Sequence, residues 1–425
     1  MEVVLFEVIT SRVGGLDVHK KQVTCAIRSP GPDGERLEVV KQFSTFNRDL
    51  HIMAAWLKEH GVTDIGMEAT GIYWVPVWRV LESYGFDKLV LANPARMPRQ
   101  PGRKTDRIDA SWIAQLLECG MLTASFVPER QFFELRGLTR YRKKLIGNRS
   151  SEILRAQKLL EDAGIKIDSV ISNINGVSGR QMLDALIAGE RDVKVLAQMA
   201  HGKMRNNIAD IELALVGFFD ENYHAKLLRV HLDQIDYFTK AIDDLSAIIT
   251  EKMEPYEAQL KLLETIPGIG RRVGEVVIAE AGIDMSVFPT AQHLASWAGM
   301  CPGNRESAGK RKSGKTRKGN QAIRSALCEA AWATRLTKDT YLGAQFQRFR
   351  RRFGGKTNDK KVIVAVGHSI LVAVWNVLST GEVYSDPGAD YFIKKVDSSE
   401  ARKRRHIKQL EELGYSVTLE EKIPA

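Results

Sequence analysis

Val13-Gly14-Gly15-Leu16-Asp17-Val18 is an apolar run that closes on an acid, and Gln22-Val23-Thr24-Cys25-Ala26-Ile27-Arg28 follows after His19-Lys20-Lys21. Read outward from there, Arg12–Val18 and Gln22–Arg28 are β-rich runs, and Arg36–Phe43 is a third. Pro30-Gly31-Pro32-Asp33-Gly34 lies between the last two as a hairpin turn signal. A later apolar run, Ile65-Gly66-Met67, also closes on an acid, Glu68. Asp106 and Asp109 sit three apart in Lys104-Thr105-Asp106-Arg107-Ile108-Asp109-Ala110, which opens a helical pattern. Carboxylates at two strand ends and an i,i+3 pair on one helix face can meet at one point. Such a cluster repels itself unless divalent cations neutralise it. An acidic cage around metal points to phosphodiester chemistry.

The elements between these acids continue the pattern. Asn47 is placed to cap a helix reaching His60, followed by strand Val62–Met67, helix Thr70–Tyr84, strand Phe86–Ala92, a basic Pro-rich loop over 93–104, and helix Thr105–Cys119. The order βββαβαβα predicts a mixed sheet flanked by helices, with Asp17 and Glu68 on neighbouring strands.

The 425 residues suffice for two or three domains with real cores, and 27% charged with 44% hydrophobic residues excludes a disordered chain. The formal charge of +10 is unevenly placed: residues 299–361 hold 17 Lys/Arg against 4 Asp/Glu, so this window alone exceeds the whole-chain excess. A concentrated basic face is the footprint of a polyanion binder. Cys25, Cys119, Cys301 and Cys328 lack C-x-x-C spacing, so neither a zinc site nor a disulfide framework is expected. Glu2 and Glu7 stand where a cleavable signal would be apolar, and the apolar stretch Val362–Leu378 is broken by Gly367, His368, Ser369 and Asn376. It reads as a buried helix rather than a membrane span, and the chain as a cytoplasmic protein.

From Gln131 to Glu254 the pattern is almost wholly helical. Leu228, Ile235, Ile242 and Ile249 repeat every seven residues, with Leu232, Phe238 and Leu245 in the same stripe, which predicts a coiled-coil seam. An intramolecular helical hairpin would use such a seam; a dimerising coiled coil is the expectation favoured here. Arg136, Arg140, Arg142, Lys143, Lys144, Arg149 and Arg155 give an earlier helix a basic side, either solvated or in contact with nucleic acid. Beyond Pro255 the chain is helical with a Gly/Lys-rich loop, and Arg402, Lys403, Arg404, Arg405 and Lys408 form a basic tail expected to be partly disordered.

Three motifs carry chemistry. Ile266-Pro267-Gly268-Ile269-Gly270 is like the hairpin of a helix-hairpin-helix, where Gly268 and Gly270 would let backbone N–H groups approach a phosphate; the alternative is a plain helix connection. Gly309-Lys310-Arg311-Lys312-Ser313-Gly314-Lys315-Thr316 matches a P-loop expression, but no strand precedes it and Arg317-Lys318-Gly319 intervene before Asn320 can cap a helix. Lys310, Arg311, Lys312, Lys315, Arg317 and Lys318 read instead as a mobile clamp on a phosphate backbone. Ser307, among these cations, is an ordinary loop serine or a nucleophile for phosphorus.

Gly15-Leu16-Asp17-Val18-His19-Lys20, Met67-Glu68-Ala69-Thr70-Gly71, the Lys104–Ala110 segment, the Ile266–Gly270 hairpin and the 299–320 loop together resemble the DEDD transposases of insertion sequences of the IS110 type. The resemblance implies a ribonuclease-H/RuvC-like domain over 1–130, a helical coiled-coil linker over 131–254, a C-terminal transposase domain with the serine loop over 255–387, and a tail over 388–425. It implies that Asp17, Glu68, Asp106 and Asp109 hold one or two Mg²⁺ ions and that Ser307 is the nucleophile, although Ala308 departs from a common Ser-Gly pattern. It further implies double-stranded DNA as substrate, a structured guide RNA, and a homo-oligomer, dimer or tetramer, whose assembly completes the site. A junction resolvase using the same acids with water as nucleophile is the second reading. A nucleic-acid-binding scaffold without catalysis is the third.

Overall fold

The computed structural model describes residues 7–69, 71–94, 97–98, 105–303, 305–392 and 399–419. Thr70, Lys104 and Asn304 of the motifs above lie outside the described residues. The chain divides into two compact units, 1–127 and 128–425.

The first unit holds strands β1 (Val13–Val18), β2 (Gln22–Pro30), β3 (Arg36–Ser44), β4 (Asp64–Glu68) and β5 (Lys88–Ala92), with helices α1 (Asn47–Glu59), α2 (Trp74–Ser83) and α3 (Asp106–Glu118). The sheet order is β3-β2-β1-β4-β5; β1 runs antiparallel to β2 and parallel to β4. Phe46, without a side-chain cap, rather than Asn47, precedes α1. The predicted element order holds throughout this unit.

Alternation along β1 sets the function of the sheet. Leu16 and Val18 join the core made with Leu50, Met53 and Leu57 of α1 and Val77, Val80 and Leu81 of α2. Val13 joins the opposite core, with Ala110, Ala114 and Leu117 of α3. Gly15 lies on that same side, where a Cβ would stand 2.2 Å from the Ala110 carbonyl oxygen and 2.4 Å from the Ala114 amide. The strand period of two then turns Asp17 toward α3. On β4 the same rule applies: Ile65 and Met67 sit in the α1/α2 core, Gly66 lies against Ile113 and Leu117 of α3, and Glu68 therefore shares Asp17's side. At the far end of α3 the buried Glu118 carboxylate accepts from Arg28 at 3.0 Å and Arg36 at 2.6 Å, which fixes the helix across β2 and β3.

The second unit is helical: α4 (Arg130–Asp162), α5 (Ile167–Val170), α6 (Val177–Ile187), α7 (Val193–Gln198), α8 (Ile208–Ala214), α9 (Lys226–Met253), α10 (Glu257–Glu264), α11 (Arg271–Ala281), α12 (Ala291–Trp297), α13 (Gln321–Thr334), α14 (Tyr341–Arg352), α15 (Asp359–Thr380) and α16 (Ser399–Glu412). A hairpin of β6 (Arg305–Ser307) and β7 (Lys310–Ser313) interrupts it before α13. Within the basic tail, Ser399–Glu412 form the helix α16.

The heptad seam of α9 finds its partner inside the chain. Leu228, Leu232, Ile235, Ile242 and Ile249 are buried, and α4 runs antiparallel beside them. Hydrogen bonds step along the pair in opposite directions: Glu134 with Lys252, Arg149 with Thr239, Glu152 with His231 and Asp162 with His224. This corrects the expectation of an intermolecular seam, because those apolar residues are already covered. Heptad spacing reports that a helix partner exists without saying which helix it is.

Helix α15 is long and apolar enough to cross a membrane by length and composition. Its Val362, Val366, Ile370, Leu371, Val374 and Val377 are buried, and it packs on α10, α12, α13 and α14, as a core helix does.

Candidate active site

In the first unit Asp17 and Asp106 come together where the sheet meets the start of α3, while Glu68 and Asp109, on the adjoining strand end and the same helix turn, lie outside the group whose donor atoms are mutually within 4.8 Å. Leu16 pairs with Met67 in the parallel β1–β4 ladder, so Asp17 and Glu68 are the next positions on adjacent strands. Adjacent strands lie about 5 Å apart, within the span of one bridging cation. Asp106 and Asp109 both fall in the first turn of α3, where the helix dipole favours carboxylates, and Thr105 caps that turn by accepting from the Ile108 amide at 3.4 Å.

Two residues that the sequence pattern does not single out complete this cluster. His19 places Nε2 at 3.1 Å from an Asp17 carboxylate oxygen and 3.7 Å from one of Asp106. Gln22 donates from Nε2 to the other Asp106 oxygen at 2.9 Å. One donor atom each from Asp17, His19 and Asp106 lies within 4.8 Å of the others. The available signal was the three-residue connection: it brings His19 and the first residue of β2 back beside the end of β1.

Asp17 is only 8% exposed. Burial raises its pKa, His19 opposes that, and Asp106 and Asp109 raise it further. A bound cation would relieve the charge of this carboxylate and the two beside it. The oxygen donors fit a hard divalent ion such as Mg²⁺.

In the second unit Ser307 occupies the tip of the β6–β7 hairpin. Ser307 pairs with Lys310, and Glu306 with Arg311. The connecting residues both have positive φ, Ala308 at 50° and Gly309 at 73°, as a two-residue type I′ turn demands. Directly opposed residues share a face, so Ser307 and the Lys310 ammonium project together, both exposed. The loop read as a clamp has the backbone of a hairpin. Its base is closed by the Gly303 amide on the Lys315 carbonyl at 3.0 Å and by a bridge between Pro302 and Thr316. Gly299 and Gly319 meet there, since a Cβ on Gly319 would stand 2.2 Å from the Gly299 amide. Lys315, Arg317 and Lys318 are exposed along the returning arm. The side chains of Arg311, Lys312 and Ser313 lie outside the described structure. Asn320 caps α13 with bonds to the amides of Ala322 and Ile323 at 3.0 and 3.2 Å, and no helix follows Thr316 directly, consistent with rejecting a P-loop.

The two glycines of the 266–270 hairpin separate. Gly268, at φ 91°, packs on α13, where a Cβ would meet the Ala330 carbonyl oxygen at 2.5 Å. The side of Gly268 where a Cβ would stand is therefore taken up by packing on α13. Gly270 is exposed, has nothing within 4 Å of a would-be Cβ, and caps α11.

Most of α4's basic side is spent on internal acids. Arg140 makes a bidentate bond to the fully buried Glu280 at 2.7 and 2.8 Å, and Asn320 donates to the same carboxylate at 2.6 Å. Arg136 donates to the Ala279 carbonyl at 3.2 Å, and Arg142 pairs with the buried Glu275 at 2.6 Å. Those acids lie more than a hundred residues along the chain, where no local pattern reveals them.

Two family models match the chain: one of DEDD-type IS110 transposases over residues 14–165, and one of the transposase IS116/IS110/IS902 family over residues 260–347. The chain is 26% identical over 325 residues to "Putative transposase y4rJ" of Sinorhizobium fredii, covering 73% of this chain and 75% of that protein. It is 32% identical over 120 residues to the pilin gene-inverting protein of Moraxella bovis, covering 28% of this chain and 36% of that one. The first model spans all four acids and the second spans the serine hairpin; the chain belongs to the IS110 family of DEDD transposases.

Proposed function

We propose that this transposase cleaves and rejoins DNA strands with a metal centre on its sheet and a serine nucleophile on its hairpin. The observation that carries this reading is the meeting of Asp17 and Asp106 around His19 on the face of the sheet that also presents Glu68. Asp17, Glu68, Asp106 and Asp109 would hold one or two Mg²⁺ ions. When bound, the metal would polarise the scissile phosphate and stabilise the attacking and leaving oxygens.

The chain's own residues supply the rest. Ser307 Oγ attacks phosphorus, an O–P bond forms to the protein, and the strand's oxygen leaves carrying a proton. The phosphoserine bond keeps the energy of the one broken, so a strand hydroxyl reseals it without ATP. Lys310, on the same face of the hairpin, offsets the charge that develops on the phosphate oxygens. Arg317 and Lys318 hold the neighbouring backbone. A structured guide RNA that selects the DNA sites rests on family membership alone, as does assembly into a dimer or tetramer.

The test is strand cleavage of a DNA carrying the element's joined ends, with and without Mg²⁺. Cleavage by wild type that stops in chelator and in Asp17→Asn, while DNA binding persists, supports the reading. Undiminished cleavage in chelator contradicts it.

A further inference from the structure

A cavity of about 700 Å³ opens between α4, α11 and the start of α13 in the second unit, and nothing proposed above uses it. Its size lies in the range of small-ligand sites. One wall is apolar, built from Ile146 of α4, Val273 and Val276 of α11 and Ala322 of α13. The rim is polar: Lys143 from α4, Arg272 from α11, and Gln321, Ser325 and Glu329 from α13. Gly319, where the basic hairpin returns to the helices, closes one end.

The charges around it are of two kinds. Arg140 and Arg142 are held by Glu280 and Glu275, so they are neutralised and fixed. Lys143 bridges instead to Glu329, and both side chains are 56% exposed. An exposed pair of this sort contributes little to stability, so it opens readily to an incoming anion. Arg272 is exposed beside it. Asn320 already caps α13, so anion contact falls to Lys143 and Arg272 rather than to the helix end. The matching ligand has a flat apolar face, hydrogen-bonding edges and a negative charge. Those are the properties of a nucleotide.

We propose that this cleft seats one unstacked nucleotide of a single-stranded nucleic acid. The base lies on Ile146, Val273, Val276 and Ala322, its edge meets Gln321 and Ser325, and its phosphate draws Lys143 from Glu329. The proposal rests on the nucleic-acid reading above and adds a base-dependent site to it.

The experiment measures binding of the full chain to fluorescein-labelled oligothymidylate, oligouridylate and an abasic strand of equal length, by anisotropy. Wild type is expected to prefer a base-bearing strand by roughly tenfold, the size expected from burying one base face against aliphatic side chains. Ala322→Phe fills the cleft, so it removes that preference and leaves abasic binding unchanged. The arm that suffers more, thymidylate or uridylate, names DNA or RNA as the occupant. Lys143→Gln and Glu329→Gln break the same ion pair on the surface. An anion site predicts opposite effects, weaker binding for Lys143→Gln and tighter for Glu329→Gln, whereas a merely structural pair gives both the same sign. Equal wild-type affinity for base-bearing and abasic strands overturns the proposal. So does a base preference that survives in Ala322→Phe, or polyglutamate competing as well as the oligonucleotides. Absence of binding to every strand sinks the nucleic-acid reading itself; binding without base dependence sinks only the cleft.

Discussion

Ser307 and Lys310 stand opposite each other in register across a two-residue turn whose first residue, Ala308, carries a φ of 50°. An L-residue there costs roughly 1–2 kcal/mol relative to a relaxed backbone, and glycine does not bear that cost. Ala308→Gly is therefore expected to relieve the turn and keep the serine in place, with thermal stability unchanged or raised. Ala308→Val, β-branched at positive φ, should loosen the hairpin. Amide hydrogen exchange across 305–313 reads both effects, and faster exchange in Ala308→Gly than in Ala308→Val would contradict the turn assignment.

A second prediction concerns Asp17. Its pKa is raised, chiefly by burial and then by Asp106 and Asp109, with His19 opposing. The folded state therefore holds this proton more tightly than the unfolded chain. Its contribution to stability is present at pH below the unfolded carboxylate value and is lost as pH rises through the raised folded value. Asp17→Asn removes that loss, so the metal-free variant should melt no lower than wild type at neutral pH. Mg²⁺ should raise the melting temperature of wild type and not of the variant. Equal Mg²⁺ shifts in the two proteins would place the metal elsewhere.

Gly15 tests whether the placement of α3 matters to the acids. A Cβ there collides with the α3 backbone, which cannot give way as a flexible side-chain tip could. Gly15→Ala should push α3 from the sheet, lowering the melting temperature and weakening Mg²⁺ binding together. A variant with wild-type metal affinity would show that α3 does not position Asp106 and Asp109.

The fully buried Glu280 accepts from Arg140 and Asn320 and ties α4 to α11 and α13. Glu280→Leu removes the carboxylate shared by Arg136, itself only 12% exposed, and Arg140. Breaking a buried pair from one side costs about 3–5 kcal/mol. A urea-melt loss under about 1 kcal/mol would show that water or other groups take over the arginines.

The first unit was legible because its signals are local. Strand alternation, the Pro30–Gly34 turn and the acids at strand ends each lie within a few residues, and they placed all five strands and three helices. His19 and Gln22 escaped because their approach to Asp106 depends on contacts across 87 and 84 residues of chain. In the second unit the sequence named the right residue types and the wrong recipients. The α9 seam was real, but its cover is α4; the arginines of α4 were basic, but Glu275 and Glu280 face them. Gly268 was read as a point of close approach, and the neighbour it approaches within the chain is Ala330. Long-range complementarity of this kind leaves no periodic trace.

The basic hairpin yields a salt-dependent prediction. Replacing Lys310, Arg311 and Lys312 with Gln should weaken DNA binding and flatten its salt dependence, by roughly 0.9 in slope of log K against log salt for each phosphate no longer neutralised. A titration with unchanged slope would make the hairpin a solvated surface.

The most direct test of the serine route is the protein–DNA bond. Wild type incubated with DNA bearing the element's joined ends and Mg²⁺ should give a denaturation-resistant band that protease removes, and Ser307→Ala should lose that band while still binding metal and DNA. Free DNA ends without attached protein, or robust cleavage by Ser307→Ala, would contradict that route and leave a water-using resolvase as the reading.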